Sequence, residues 1–461
     1  MTWKSLTSAA LLTALAGFGT DWMMRSPSIA DLLQQPRRGT LVSTKDMRVA
    51  RAGHTATALP DGRVLVAGGF KEKGSASGAE VYQPDSGQFS PLPPMITPRY
   101  GHTATFLPDG RVLIAGGYGE GSGMLADVEL FDPANNSFTR TGSLLAARAG
   151  HVAVLLKNGQ VLVAGGVGPG WTFLASAEVY DPEAGRFLPA GQMSMPREGH
   201  AGVRLLDGRV FIVGGHNGQR RNLTLLAAAE IYDPGRAAFV RAGAMRTPRH
   251  KHDAVLLPNG QVLIAGGTDE RDARGVFSST ELFSPDTGMF VNGPVMKFGR
   301  YQHQGTSVLL PGGLVLIAGG APQAEIYDPA RRSFVLVPGR PQMAGHFSAV
   351  AMLRGGGVLI TGGYGNGTAP RSSAWLFLPY ESNTGGDPSA AFLAALEQSL
   401  AHQTGKAPGI ERAGNRGRKG GESRNRDREI FAGQAEPAVG RASPHLLAVQ
   451  PPLPVVVETN H

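Results

Sequence analysis

The sequence predicts an all-β fold: a seven-bladed β-propeller of four-stranded antiparallel blades, with an N-terminal strand closing the last blade. Three observations lead there. A hydrophobic run ending in a glycine pair occurs seven times, at Gly68-Gly69, Gly116-Gly117, Gly165-Gly166, Gly214-Gly215, Gly266-Gly267, Gly319-Gly320 and Gly362-Gly363. The pairs recur every 43 to 53 residues, the period of an array whose unit is a small sheet that cannot bury its faces alone. The last unit lacks its fourth strand, and the residues just before the first unit can supply one.

Each unit has the same internal order, with four β-rich runs designated A to D. Unit two reads Arg99-Tyr100-Gly101-His102, then run A from Thr103 to Leu107, the turn Pro108-Asp109-Gly110, and run B from Arg111 to Ala115. After Gly116-Gly117 and a loop come run C at Glu129-Leu130-Phe131 and run D at Ser137-Phe138-Thr139. Pro presets φ for the A–B turn and Gly accepts the positive φ that closes it. Asn158-Gly159 and Asp207-Gly208 do the same work in units three and four. Run B is apolar throughout, as in Val64-Leu65-Val66-Ala67, so both of its faces must be covered. A four-stranded sheet covered on both faces by its neighbours is a propeller blade.

Units one to six supply all four strands. Unit seven supplies A at about 346–353, B at 357–361 and C at 372–378, then runs into Asn383-Thr384-Gly385-Gly386-Asp387-Pro388. Its D strand is expected at Thr40-Leu41-Val42-Ser43-Thr44, which satisfies an otherwise open edge.

These units resemble the kelch repeat: an Arg and a small residue before strand A, a glycine pair after strand B, and an aromatic in strand C. The resemblance covers about residues 40–380 and is of the bacterial type, with a galactose oxidase-like central domain. Kelch units usually carry Trp in strand D, and here that slot holds Phe89, Phe138, Phe187, Phe239, Phe290 and Phe334. The related copper oxidase uses a Tyr–Cys crosslinked cofactor. With no Cys this chain cannot build it, nor a disulfide or a thiolate metal site, and we expect no cofactor and no metal.

The flanks differ in composition. Residues 1–16 read as a secretory signal, with Lys4, an apolar stretch from Leu6 to Leu15, and Ala14-Leu15-Ala16 as the cleavage site. That stretch is too short to span a bilayer, and no transmembrane segment is expected. Residues 17–39 read as a linker. Residues 381–401 read as a second linker with a short helix, capped by Ser389 and striped by Phe392, Leu393, Leu396 and Leu400. Residues 402–461 are basic and Pro-rich, too polar for a core, and expected to be disordered. The formal charge is +8, but the tail lacks aromatic interleaving, so it carries no specific nucleic-acid signature. The expected location is secreted or periplasmic, or cytoplasmic if the N-terminus is not a signal.

Two repeated series read as scaffold. His54, His102, His151, His200, His252, His303 and His346 open strand A. One in every blade implies a structural job, since a metal site needs ligands converging on one point. Arg51, Arg99, Arg148, Arg197, Arg249 and Arg300 precede strand A, and Glu80, Glu129, Glu178, Glu230, Glu281 and Glu325 lie in strand C. Buried carboxylates must be paired, and Arg offers them a fork. Unit seven has Trp375 in the Glu slot.

Function is sought where the repeats differ. From the second Gly to the strand C Glu the separations are 11, 12, 12, 15, 14 and 5 residues, so the B–C loops vary while the A–B turns do not. Variable loops on a rigid scaffold carry binding function. Their contents include Phe70, Tyr118, Trp171, Phe173, His216, Arg220, Arg221, Asp269, Asp272 and Tyr364. The strand A entrances on the same face add Tyr100, Glu198, His250, Lys251 and Tyr301. The candidate contacts are Tyr100, Trp171, Glu198, Arg220, Arg221, His250, Lys251 and Tyr301, on a concave mouth suited to a protein or glycan ligand. No catalytic residue stands out, because phosphate loops, nucleophile elbows and sialidase Ser-x-Asp boxes are absent. The expectation is an exported recognition module. The alternatives are a propeller enzyme acting on a carbohydrate, and an assembly scaffold.

Overall fold

The structure is a computed structural model. It describes residues 39–379 apart from 73, 219–222, 340–344 and 366–368. The described residues all fall within the second of the two units into which the chain divides, Gly39–His461. The expected signal, most of the first linker, the helix at 389–400 and the basic tail lie outside the described residues.

Seven four-stranded antiparallel sheets follow one another. Blade one is Thr55–Ala58, Val64–Ala67, Ala79–Gln83 and Gln88–Leu92, and the next five blades repeat this order. In blade seven, Ala349–Met352, Val358–Thr361 and Ala374–Pro379 are joined by Gly39–Ser43. The register pairs Thr40 with Leu378 and Val42 with Leu376. The N-terminal strand therefore closes the ring, one residue earlier than the sequence suggested. Among the described residues the only helical elements are three short 3-10 turns.

Seven buried clusters form the core, one at each interface between neighbouring blades. Alternation in strand B feeds two of them. Val64 and Val66 pack toward blade seven, with Leu359 and Leu376. Leu65 and Ala67 pack toward blade two, with Val112, Ile114 and Phe131. This is why the run is apolar throughout. The Phe of strand D packs at a tilt against the aromatic opposite it in strand C, as in Tyr82–Phe89 and Phe131–Phe138, each at 4.9 Å between centroids. In blade seven Leu41 faces Phe377 in the equivalent register.

The repeated polar residues bind blade to blade. Arg99 sends Nη2 to Glu129 at 2.8 Å and Nη1 to the Gly116 carbonyl at 3.0 Å, while the Arg99 carbonyl accepts the amide of Gly69 in the preceding blade at 2.8 Å. Glu129 also accepts the amides of Ile96 and Thr97. The same Arg–Glu pair recurs in all of the first six blades, with every Arg buried. Blade seven breaks the pattern, because Gly345 takes the Arg slot, where a Cβ would lie 1.3 Å from the Tyr364 carbonyl. Ring closure keeps the main-chain half of the link, from the Gly363 amide to the Arg51 carbonyl at 2.9 Å.

The histidines wedge between blades. His102 Nε2 meets Thr55 Oγ1 at 3.1 Å, His151 meets Thr103 at 3.0 Å, and His54 meets Thr361 at 2.8 Å. Each ring lies against the first glycine of the preceding pair. At Gly116, with φ +61°, a Cβ would lie 2.5 Å from the Arg148 carbonyl and 2.9 Å from the His151 ring, so both conformation and space require glycine. One assignment is corrected. His346 is not the seventh member of this series. Ser348 takes that slot, with Ala349 opposite Thr361 as Thr55 is opposite Ala67. His346 sits two positions earlier, at the mouth.

Candidate ligand-binding site at the propeller mouth

The face carrying the B–C loops and the strand A entrances is built on a ring of main chain. Gly53, Gly101, Gly150, Gly199, Lys251, Gln302 and Phe347 occupy one equivalent position each, all with φ between +54° and +65°. Gly53 donates its amide to Phe347, Gly101 to Gly53, Lys251 to Gly199, Gln302 to Lys251 and Phe347 to Gln302, over 2.7–3.1 Å. Blades one to four meet this left-handed conformation with glycine. Blades five to seven hold Lys, Gln and Phe there, at a cost of roughly 1–2 kcal/mol for each side chain.

Next to this ring lie two paired slots in every blade but the sixth. The residue before the ring position bridges the residue after the glycine pair: Ala52 with Phe70, Tyr100 with Tyr118, Ala149 with Val167, Glu198 with His216, His250 with Thr268 and His346 with Tyr364. The B–C loops then fold back on themselves, as hairpins in blades three and four.

Blades one to three form an aromatic arc. Phe70 meets Tyr100 edge-on at 5.5 Å, Tyr100 stacks on Tyr118 at 5.0 Å, and Tyr118 meets Trp171 at 6.3 Å. Trp171 is 50% exposed and itself has φ +61°. Tyr301 and His346 meet at a tilt with centroids 4.3 Å apart, and Phe347 meets Tyr364 edge-on at 6.0 Å in blade seven, next to blade one.

Blades four and five supply the polar sector. His216 Nε2 lies 3.2 Å from Glu198 Oε2, His216 Nδ1 lies 3.0 Å from His250 Nδ1, and His250 Nε2 lies 3.3 Å from the Asp269 carbonyl. Lys251 pairs with Asp272 at 2.7 Å, and Thr268 Oγ1 donates to the Asp272 carbonyl. Burial lifts the Glu198 carboxyl to about 7, with Lys251 opposing and Asp272 assisting. Burial lowers His216 to about 4 and His250 to about 3, with Lys251 adding to each effect. Burial also raises the Tyr118 hydroxyl, helped by Glu198, and pushes Tyr364 up to about 12, helped by Tyr100.

Of the sequence candidates, Tyr100, Trp171, Glu198, His250, Lys251 and Tyr301 all fall on this mouth, whereas Arg220 and Arg221 lie outside the described residues. His250 is buried rather than displayed, with its ring against that of His216. Tyr118, His216, His346 and Tyr364 belong to the site as much as the residues first singled out. The signal that finds them is positional: each fills one of the two paired slots.

The fold is a seven-bladed β-propeller, and two of its repeats carry a recognised motif. Residues 50–96 and 148–194 match the Kelch motif. A search of curated proteins returned no match. Among solved structures, the chain is similar to a fungal alcohol oxidase of the AA5 family in complex with copper. That likeness covers 76% of this chain and 78% of the oxidase at 17% identity, with a TM-score of 0.57, and it concerns the fold. The residues here do not fit a crosslinked Tyr–Cys copper cofactor. The chain has no Cys, and the described residues hold no cluster of three or more His, Cys, Asp or Glu able to bind a metal ion. No helix among the described residues is long and apolar enough to cross a membrane.

Proposed function

We propose that this protein is an exported recognition module that binds a protein or glycan ligand at the propeller mouth. The supporting observation is the confinement of chemical individuality to the paired slots. Elsewhere the first six blades repeat the same Arg, Glu, His and glycine residues, while at the mouth every blade differs. An aromatic arc facing a polar sector suits a ligand with an apolar face and several hydrogen-bonding groups. Screening the full chain against glycan and protein libraries tests the reading, followed by competition with Tyr118→Ala and Trp171→Ala variants. Binding that survives both substitutions unchanged would move the site elsewhere.

A second reading, an enzyme acting on a carbohydrate, is favoured by one observation. Glu198 is a carboxyl lifted to about 7 at the mouth, where titratable groups with shifted pKa are characteristic of catalysis. Turnover of a glycan found in the screen, lost in Glu198→Gln, would establish it.

A further inference from the structure

The main-chain ring at the mouth is incomplete. Its bonds form one line, each amide donating to the carbonyl of the preceding blade: Gly101 to Gly53, Gly53 to Phe347, Phe347 to Gln302, Gln302 to Lys251 and Lys251 to Gly199. Gly150 of blade three is left out. Among the described residues the Gly150 and Gly199 amides have no acceptor, and the Gly101 and Gly150 carbonyls accept nothing. Blade three thus faces a break on either side, each with one donor and one acceptor unpaired. Main-chain groups withdrawn from bulk water need partners.

The breaks are narrow. Next to the first, His151 Nε2 lies 3.0 Å from Thr103 Oγ1, much as His102 lies 3.1 Å from Thr55 between blades one and two, where the ring is intact. The Gly117 amide reaches the Arg148 carbonyl at 2.9 Å and the Gly166 amide reaches the Arg197 carbonyl at 2.8 Å, again matching the Gly69–Arg99 link at 2.8 Å. Blades two, three and four are therefore as close as blades one and two, and a break admits a single atom rather than a planar amide. One atom that both accepts from an N–H and donates to a carbonyl is a hydroxyl oxygen. The flanks are aromatic and acidic. A Cβ built on Gly101 would lie 3.3 Å from Tyr118 Cδ2, and one built on Gly150 would lie 2.6 Å from Glu198 Oε1. Trp171, half exposed, is tilted against Tyr118.

We propose that the two breaks around Gly150 bind hydroxyl groups of a sugar ring. One hydroxyl accepts from the Gly150 amide and donates to the Gly101 carbonyl. The other accepts from the Gly199 amide and donates to the Gly150 carbonyl. Tyr118 and Trp171 meet the C–H face of the sugar, and Glu198 offers an acceptor to a further hydroxyl. Two hydroxyls held apart on one rigid frame favour a sugar over a Ser or Thr side chain, which brings one. This rests on the mouth being the ligand face and narrows its ligand to a glycan.

Nuclear magnetic resonance of the full chain with labelled glycine tests the site. Without ligand, amide exchange compares Gly150 with Gly101, both half-buried. Gly150 should exchange at least about tenfold faster, and equal rates would show a closed ring and overturn the proposal. The probes are the methyl pyranosides of glucose, galactose and mannose, with cyclohexanol as the single-hydroxyl control. At least one pyranoside should shift the Gly150 and Gly199 amide signals more than that of Gly53 and slow exchange at Gly150. It should bind at least about tenfold more tightly than cyclohexanol. No shift at Gly150 and Gly199 with any of the three would overturn the proposal, as would equal binding of cyclohexanol or a response to a capped Ser peptide alone. A pyranoside that perturbs the Trp171 indole but neither glycine removes this site and leaves the mouth as ligand face. One that shifts only Gly62, Gly110 and Gly208, in the A–B turns, removes both.

Discussion

Arg99 and Glu129 form a buried ion pair, 2.8 Å apart and both almost wholly withdrawn from solvent. Its importance lies in what else each partner holds. Glu129 fixes the strand A entrance through the Ile96 and Thr97 amides, and Arg99 holds the first glycine of the pair. Breaking such a pair from one side strands a buried charge, at about 3–5 kcal/mol. Glu129→Ala and Glu178→Ala should each lose about this much in urea unfolding. A loss under about 1 kcal/mol is what an exposed pair would show, and would refute the clamp.

Closure of the ring rests on Gly39–Ser43. Leu41 is buried with Leu310, Ile326, Val358 and Phe377 at the interface of blades six and seven. Leu41→Ala should cost about 2–5 kcal/mol. Deleting residues 1–46 should sharply lower the thermal midpoint, and an unchanged midpoint would show that the strand is dispensable.

Much of this architecture is legible in the sequence because identical contacts recur. The alternating burial of Val64 to Ala67 and the Arg–Glu pairs need only the repeat to be aligned. The mouth was harder to read for a physical reason. His216 and Tyr118 become site residues only through pairing across to Glu198 and Tyr100, which depends on register rather than residue type. His346 was misplaced because Phe347 replaces the glycine that marks register in blades one to four. Lys251 is legible as an entrance residue, but no side-chain pattern reveals its positive φ.

Gln302 isolates the strain at that slot, being left-handed at φ +54° without the ion pair that Lys251 makes. Gln302→Gly should raise stability by up to about 1 kcal/mol, the relief of a left-handed side chain less the added chain entropy. Calorimetry that shows destabilisation would mean the side chain packs more than it strains.

Stability should fall with acid. His54, His151 and His303 are held near 3 by burial, with the adjacent Arg of each blade adding to the effect. The folded state keeps them neutral while the unfolded chain takes up protons below about 6.5. Their contribution is therefore complete above 6.5 and is lost progressively toward pH 3. Glu198 runs the other way. Its folded value near 7 lies above the unfolded one, so its contribution is full at low pH and is lost as pH rises from about 4.5 to 7. Urea unfolding across this range should show His151→Gln flattening the acid limb and Glu198→Gln flattening the loss toward neutrality. Parallel curves for variants and wild type would contradict both assignments.

On the proposed function, the face bearing the B–C loops binds the ligand and the repetitive face of A–B turns does not. On the latter, Asp61, Asp109 and Asp207 are tied to Arg63, Arg111 and Arg209 in near-identical exposed pairs. The most direct test is a set of binding isotherms for a ligand recovered from the screen, comparing Tyr118→Ala, Trp171→Ala and Glu198→Gln with Asp61→Ala, Asp109→Ala and Asn158→Ala. The first group should bind at least about tenfold more weakly, near 1.4 kcal/mol, with unchanged thermal midpoints, and the second should bind much as wild type does. The opposite ranking would place the site on the A–B face and contradict the account.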